Sequence, residues 1–207
     1  MRADGQGGGA AAPGRLVLAS GSVWRQALLA AAGVTVDIHP PDVDEGPLRG
    51  PTPADTARLR AEAKALAVLR QRPGCLVIGA DQVAHLDGEV IGKPADPADH
   101  LRRLRAFRGR THTLTTAVCL ASEAGSEGFL VHTEVRFRGD LEDAELETYV
   151  ASGEGAGCAG GYMVEKHGAW LIEAVDGDWT NVIGLPLFEL ISRLRRRGAR
   201  LYGEAAP

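Results

Sequence analysis

Two short apolar runs, each followed by a polar cluster, constrain the fold of this chain most strongly. Leu16–Ser20 (LVLAS) and Cys75–Ala80 (CLVIGA) have the length and composition of buried strands. Two helices are predicted between them: Val23–Ala32, which follows the N-cap residue Ser22, and Ala54–Arg70, which is rich in Ala, Leu and Arg. Strands that alternate with helices predict an α/β fold.

The second half of the chain adds antiparallel hairpins. Asp87-Gly88 stands between two short predicted strands, Val83–Leu86 and Glu89–Ile91, which is a strong signal for a two-residue hairpin turn. Two longer predicted strands, Thr111–Leu120 and Leu130–Arg138, are joined by a Gly/Ser turn. The other predicted elements are strands at Val34–His39 and Ala169–Val175 and helices at Pro97–Phe107, from Asp140 or Leu141 to Ala151, and at Pro186–Arg197. We therefore expect a mixed sheet with flanking helices.

The composition fits one globular unit and argues against two classes of function. The 207 residues are 44% hydrophobic and 24% charged, with a formal net charge of -4. This balance argues against binding of a nucleic-acid polymer, whereas a nucleotide needs only a few well-placed cations. No apolar stretch approaches the roughly 20 residues that a membrane span needs. We expect residues 1–13 to be a disordered tail and residues 14–207 to form a single domain.

The cysteines predict a reducing environment. Cys75, Cys119 and Cys158 are odd in number and widely spaced, and they form no C-x-x-C pattern. Neither a zinc site nor a disulfide framework is therefore indicated. We expect three reduced thiols, as in a cytoplasmic protein.

A first polar cluster, from Ser20 to Arg25, follows the first predicted strand and opens a helix. Free backbone N–H groups and the helix dipole suit such a turn to phosphate, and Arg25 could bind a phosphate with two hydrogen bonds. An ordinary capped helix with a surface arginine would give the same pattern. This cluster alone favours the ordinary capped helix, because strand–turn–helix junctions are common.

A second cluster, Gly79–Gln82, follows the second apolar run. A carboxylate such as Asp81 at the carboxyl end of a strand lies where ligands approach α/β sheets, and it could hold a metal ion or deprotonate a water. Lys93 stands on a rigid Gly-Lys-Pro turn after the hairpin. Taken singly, an Asp that caps a turn and a solvated lysine explain these residues as well.

A third cluster combines the glycine-rich segment Gly157–Tyr162, Glu165 and the segment Asp178–Pro186. Its glycines suggest close backbone packing or a loop near a ligand. Glu165 alone is typical of a surface carboxylate. The order and spacing of the three clusters carry more information than any one of them.

Together these stretches resemble the Maf family of nucleotide pyrophosphatases, from about Arg15 to Arg195. The family pattern L-A-S-x-S-P-x-R stands here as LASGSVWR, G-(A/S)-D as GADQ, D-G-E-x-x-G-K-P as DGEVIGKP, and V-(V/I)-G-L-P as VIGLP. The family's V-D-E stands at Val43–Glu45, and its helix lysine matches Lys64. Val23 replaces the family's proline, and Gln26 stands where many relatives carry a second arginine, so one phosphate contact is not matched.

The resemblance implies an enzyme that uses Mg²⁺ or Mn²⁺ to cut between the α- and β-phosphates of a nucleoside triphosphate. It also implies an elongated, two-lobed fold with a central cleft, similar to inosine-triphosphate pyrophosphatases. Asp81 would activate the water, and the residues that would grip the triphosphate are Ser20, Arg25, Lys64 and Lys93. Glu45 and Asp81 would hold the metal, since such ions prefer hard oxygen ligands. Asp44 stays an alternative to Glu45.

Within the family, three positions match the branch that acts on 7-methyl-GTP. That branch shows Trp, Gln and Glu where this chain has Trp24, Gln82 and Glu165, whereas the dTTP and UTP branch shows Arg, Thr and Gln. Tryptophan suits a delocalised cation, and Glu165 could accept hydrogen bonds from the guanine N1 and N2 donors. We therefore expect 7-methyl-GTP, with dTTP and UTP as the alternative. Trp24 could also be a core residue.

A role of another class stays open, because Maf proteins are also associated with inhibition of septum formation, through a binding partner. A carboxylate among cations favours an enzyme, since a pure binding module does not need one. The expected partner is a nucleoside triphosphate. The oligomeric state stays open, a homodimer included.

Overall fold

The computed structural model describes residues 15–199 and residue 201, so the predicted tail at residues 1–13 lies outside the described part. The strands are β1 (Leu16–Ala19), β2 (Asp37–Ile38), β3 (Leu76–Leu86), β4 (Glu89–Ile91), β5 (Thr111–Ser122), β6 (Gly125–Phe137) and β7 (Ile172–Asp176). The α-helices are α1 (Val23–Ala31), α2 (Pro53–Gln71), α3 (Pro97–Phe107), α4 (Asp143–Ala151), α5 (Trp179–Ile183) and α6 (Leu187–Arg196). Two 3₁₀ helices cover Ala159–Gly161 and His167–Leu171.

All these strands belong to one mixed sheet, in the order β2-β1-β3-β5-β6-β7, with β4 paired to β3. The pairs that β1 makes with β2 and β3 are parallel, and the other pairs are antiparallel. The predicted α/β fold with a mixed sheet and flanking helices is confirmed.

The main correction concerns the strand that carries Asp81. The sequence predicted two separate strands here, Cys75–Ala80 and Val83–Leu86, but they form one continuous strand, β3, and Asp81 lies in its middle, opposite Ala117 of β5. The parallel pairing with β1 does end at Gly79, so the β1 edge of β3 is open from that point. Asp81 therefore still lies where the parallel part of the sheet ends, although β3 itself continues beyond this point.

Smaller corrections come from local geometry. The strand predicted over Ala169–Val175 begins only at Ile172, because His167–Leu171 forms a 3₁₀ helix. Likewise, the strand predicted over Val34–His39 pairs only at Asp37 and Ile38. The short helix α5 was not predicted.

The turn at Asp87-Gly88 and the glycine at position 79 each meet a steric requirement of the backbone. Asp87 and Gly88 have φ values of 52° and 83°, and these positive angles confirm the predicted tight hairpin turn between β3 and β4. A Cβ atom on Gly79 would lie 2.3 Å from the carbonyl oxygen of Ala61. Only glycine at this position therefore lets α2 pack so closely on β3.

The core divides into two lobes that the long strands β3, β5 and β6 join. One lobe packs α3 and α4 against the sheet around Phe107 and Phe137. The other packs α1 and α6 on one face of the sheet, around Leu29 and Leu190, and α2 on the opposite face, around Ala61. No described helix is both long enough and apolar enough to cross a membrane.

Candidate active site

A cleft of about 750 Å³ opens between the lobes. It is lined by all nine residues that the sequence singled out for chemistry or specificity: Ser20, Trp24, Arg25, Glu45, Lys64, Asp81, Gln82, Lys93 and Glu165. They come from the β1–α1 turn, the start of α1, the segment between β2 and α2, α2, β3, the segment after β4 and the segment between α4 and β7. The structure brings these residues together, and their individual roles stay predictions.

Asp81 lies deepest among the acidic groups of the cleft. Its Oδ1 accepts a hydrogen bond of 2.7 Å from Lys64 Nζ, and Arg60 Nη1 lies 3.9 Å from its Oδ2. Among the described residues, the buried Oδ2 has no hydrogen-bond partner. Burial raises the pKa of Asp81 above its ordinary value and the charge of Glu45 adds to this, whereas Lys64 and Arg25 lower it. Such a carboxylate can accept a proton or bind a cation through its second oxygen.

The ammonium of Lys64 joins the two carboxylates of the predicted metal site, since it also lies 2.9 Å from Oε1 of Glu45. Asp44 instead accepts a hydrogen bond of 3.0 Å from the backbone N–H of Gly46, which favours Glu45 over Asp44 as a ligand. Within the described residues, no group of three or more His, Cys, Asp or Glu side chains is arranged around a common metal position. Carboxylate oxygens such as those of Glu45 and Asp81 are of the type that a hard cation prefers, and such an ion would take its other ligands from phosphate and water.

Arg25 ties three elements together at the floor of the cleft. Its Nε donates to the carbonyl of Gly184 at 2.9 Å, and its Nη1 donates to the carbonyl of Ala80 at 2.8 Å and to Ser20 Oγ at 3.2 Å. Burial lowers the pKa of this guanidinium, while Asp81 raises it. Among the described residues, Nη2 has no hydrogen-bond partner, so this nitrogen is left to reach a phosphate. Arg25 therefore orients Ser20 and the sheet end as well as offering a donor.

Lys93 and Glu165 are exposed at the rim of the cleft, where their chains approach Cys158 from two segments. Burial raises the pKa of the Cys158 thiol, Glu165 raises it further and Lys93 lowers it. The rim therefore carries one cation and one carboxylate that are both free to turn towards a ligand.

Gln82 is held by the protein through its amide nitrogen. Nε2 donates to Thr116 Oγ1 at 3.0 Å and to the carbonyl oxygen of Asn181, so Oε1 is the atom that a ligand can use. Asn181 is itself buried and fixed, because its Nδ2 donates to the carbonyl of Leu114 at 3.2 Å and to Thr133 Oγ1 at 3.0 Å. This arrangement presets the orientation of Gln82.

Trp24 is half-buried and lines two spaces at once, so the alternative of a core residue is not supported. Besides the cleft, it lines a side cavity of about 430 Å³ whose other walls include Glu154, Gly157, Cys158 and Lys166. Nζ of Lys166 lies 5.1 Å from the centre of the Trp24 ring, which is a cation–π contact.

Three residues of the site were missed at the level of sequence. Arg60 lies one helical turn before Lys64, and the predicted helix placed both on one face, so the signal was present. Asn181 stood inside the third cluster but had no sign of its contact with Gln82. Lys166 follows Glu165 directly, and only the three-dimensional contact with Trp24 singles it out.

Comparisons with known proteins identify the family to which this chain belongs. Residues 15–197 match the family model described as Maf, Maf-like protein. A dTTP/UTP pyrophosphatase of Anaeromyxobacter dehalogenans is 45% identical over 188 residues, which cover 89% of this chain and 94% of that protein. A dTTP/UTP pyrophosphatase of Geobacter sulfurreducens is 41% identical over 189 residues, covering 90% and 98%. Among solved structures, the Staphylococcus aureus Ham1 protein has a TM-score of 0.43 at 17% identity and covers 60% of this chain and 72% of that one.

Proposed function

This chain belongs to the Maf family, and from that premise we propose that it is a nucleoside-triphosphate pyrophosphatase. The reaction is hydrolysis of the α–β phosphoanhydride bond, which yields the nucleoside monophosphate and pyrophosphate. One observation carries the proposal: the buried carboxylate of Asp81 and a set of cations line the same cleft. A site of this composition can both activate water and bind a polyanion.

Asp81 is the proposed general base. Its raised pKa brings a carboxylate closer to neutral pH, where a base accepts a proton more readily, and its Oδ2 has no partner among the described residues. Water held against Oδ2 would lose a proton to it as it attacks the α-phosphorus. Lys64 holds the other oxygen and so fixes the direction of Oδ2.

The cations of the cleft are the proposed triphosphate site. Lys64 and Arg60 flank Asp81, Arg25 keeps one guanidinium nitrogen for the ligand, and Lys93 stands at the exposed rim. Ser20 adds a hydroxyl whose proton can be donated to phosphate, since its oxygen already accepts from Arg25. These donors would offset the negative charge that develops on the leaving pyrophosphate.

Glu45 and Asp81 are the proposed ligands of Mg²⁺ or Mn²⁺. A bound cation of this kind would polarise the phosphoanhydride and neutralise charge on the phosphate oxygens. Lys64, which contacts both carboxylates, holds them together before the metal and nucleotide arrive.

For the nucleobase of the substrate, the similar proteins favour dTTP and UTP, which the sequence analysis gave as the alternative. The similar proteins are named dTTP/UTP pyrophosphatases, and they give no support to 7-methyl-GTP. We take dTTP and UTP as the proposed substrates. The second candidate, 7-methyl-GTP, is favoured by one observation: Trp24, Gln82 and Glu165 all line the cleft.

A phosphate-release assay with Mg²⁺ or Mn²⁺ tests both levels of the proposal. Orthophosphate should appear only when inorganic pyrophosphatase is added, because cleavage at the α–β bond releases pyrophosphate. The panel of dTTP, UTP, GTP and 7-methyl-GTP should give the largest kcat/KM for dTTP and UTP. No release from any nucleotide would reject the enzyme and favour a non-catalytic binding role. Release without added pyrophosphatase would place the cut at the γ-phosphate instead.

A further inference from the structure

Lys166 lines the side cavity and contacts the ring of Trp24, which also lines the cleft. Its Nζ lies 5.1 Å from the ring centre, and Lys166 lines the side cavity together with Glu154 and Cys158. Trp24 lines both spaces, as do Gly157, Cys158 and Met163. One π-face of the ring therefore contacts the ammonium of an exposed lysine.

The ammonium of Lys166 shares the side cavity with the carboxylate of Glu154, which pairs with His167 instead. Within residues 15–199, no ion pair includes Lys166, whereas the other two lysines of the chain, Lys64 and Lys93, belong to the cleft itself. The ring of Trp24 thus interacts with a cation whose field extends through the indole to whatever stacks on its cleft face.

A nucleobase that stacks on the cleft face of Trp24 lies within the electric field of the Lys166 ammonium. A stacking distance of about 3.5 Å would put a base about 8 to 9 Å from the ammonium. For a neutral base the interaction with the ammonium is small, and stacking on the ring is retained. For a cationic base, two unit charges at this separation repel by an amount equivalent to about two- to twentyfold in affinity, depending on the effective dielectric constant.

We propose that Lys166 is a specificity-determining residue, which makes the Trp24 wall select neutral bases over N7-methylated, cationic purines. The inference rests on the proposed nucleotide pyrophosphatase function and deepens it. It gives a physical reason why a tryptophan at this position need not produce a site for 7-methyl-GTP: the ring already makes a cation–π contact with Lys166.

The test compares two nucleotides that differ only in the N7 methyl group and its charge. Lys166→Met removes the charge and keeps an unbranched chain against the ring, Lys166→Arg keeps the charge, and Arg195→Met removes an exposed cation from α6. For each variant, kcat/KM is measured for GTP and 7-methyl-GTP, and calorimetry gives the Kd of GMP and 7-methyl-GMP. Binding of the monophosphates does not depend on turnover, so it separates this inference from the proposed reaction.

Lys166→Met should raise the preference for the methylated nucleotide over its parent by about two- to twentyfold, in both kcat/KM and Kd. Lys166→Arg and Arg195→Met should leave both ratios within about twofold of the wild type. The inference is overturned by an unchanged ratio in Lys166→Met, by an equal change in Lys166→Arg, or by failure of the monophosphates to bind. A uniform loss for both nucleotides in Lys166→Met would also overturn it, because it would make Lys166 a phosphate ligand. Absence of turnover with a shifted Kd ratio would reject the proposed reaction alone.

Discussion

The ammonium of Lys64 lies 2.7 Å from Oδ1 of Asp81, and both side chains are less than a tenth exposed. The contact joins α2 to β3 where Gly79 lets the helix approach the strand closely. A buried ion pair is costly to break from one side, because removal of one partner leaves the other charge uncompensated. Here Glu45 gives Lys64 a second partner, so Asp81 can change its protonation state while Lys64 stays paired.

Asp81→Asn should lower kcat by about 10²–10⁴-fold, because the amide cannot accept the proton of the attacking water. Circular dichroism and thermal unfolding should show an intact fold. The control is Asp37→Asn, which removes a half-exposed carboxylate that is paired with Arg72 outside the cleft, and it should keep kcat within about twofold. If Asp81→Asn keeps more than about a tenth of the wild-type kcat, Asp81 is not the base.

The raised pKa of Asp81 predicts the pH dependence of activity. Because the base must be ionised, kcat/KM should fall as the pH drops through the raised pKa, above the ordinary aspartate value of about 4. Stability should change in the opposite sense, because a folded-state pKa above the unfolded value makes ionisation cost folding free energy. Relative to Asp81→Asn, the melting temperature of the wild type should therefore decrease as the pH rises through that pKa. An acid limb of kcat/KM below pH 4 would contradict the assignment of this limb to Asp81.

The fold class followed from local signals in the sequence, whereas the nine residues that line the cleft were selected by the family resemblance. Apolar runs, the Asp87-Gly88 turn and the glycines determine where strands and turns form, and these elements bring the nine residues to one place. The continuity of β3 through Asp81 and Gln82 was missed because it depends on pairing with β5, which lies later in the chain. The contacts between Gln82 and Asn181 and between Trp24 and Lys166 were missed for the same reason.

Arg60→Met tests the cation that the sequence analysis missed. A donor to a charged group contributes about 1.5–3 kcal/mol, so loss of Arg60 from the phosphate site should lower kcat/KM by about ten- to a hundredfold for every nucleotide. Arg58→Met, two residues earlier on α2, removes an arginine that is more than half exposed and paired with Asp55, and it should have an effect below about twofold. Equal effects of the two variants would remove Arg60 from the site.

Lys93→Ala should lower kcat/KM for every nucleoside triphosphate, whichever nucleobase is attached. A phosphate contact from this exposed rim position should be worth about tenfold in kcat/KM, since charge-assisted hydrogen bonds exceed about 1 kcal/mol. Arg102→Ala removes an exposed cation of α3 outside the cleft and serves as the control. A change within about twofold for Lys93→Ala, as an ordinary surface substitution gives, would exclude Lys93 from the phosphate site.

The last prediction concerns the three residues that the family resemblance links to the base. Trp24→Arg would put a second cation beside Lys166 and remove the aromatic surface, so it should lower kcat/KM for 7-methyl-GTP far more than for UTP or dTTP. Trp24→Phe keeps a ring and is the matched control, and it should preserve the ranking of the nucleotides. The triple change Trp24→Arg, Gln82→Thr and Glu165→Gln should move the preference further towards pyrimidines, as measured by ratios of kcat/KM. A triple variant that keeps the wild-type ranking would show that these residues do not set the choice of base. A wild type that prefers 7-methyl-GTP would instead reject dTTP and UTP as the substrates, because Trp24 would then bind the cationic base despite Lys166.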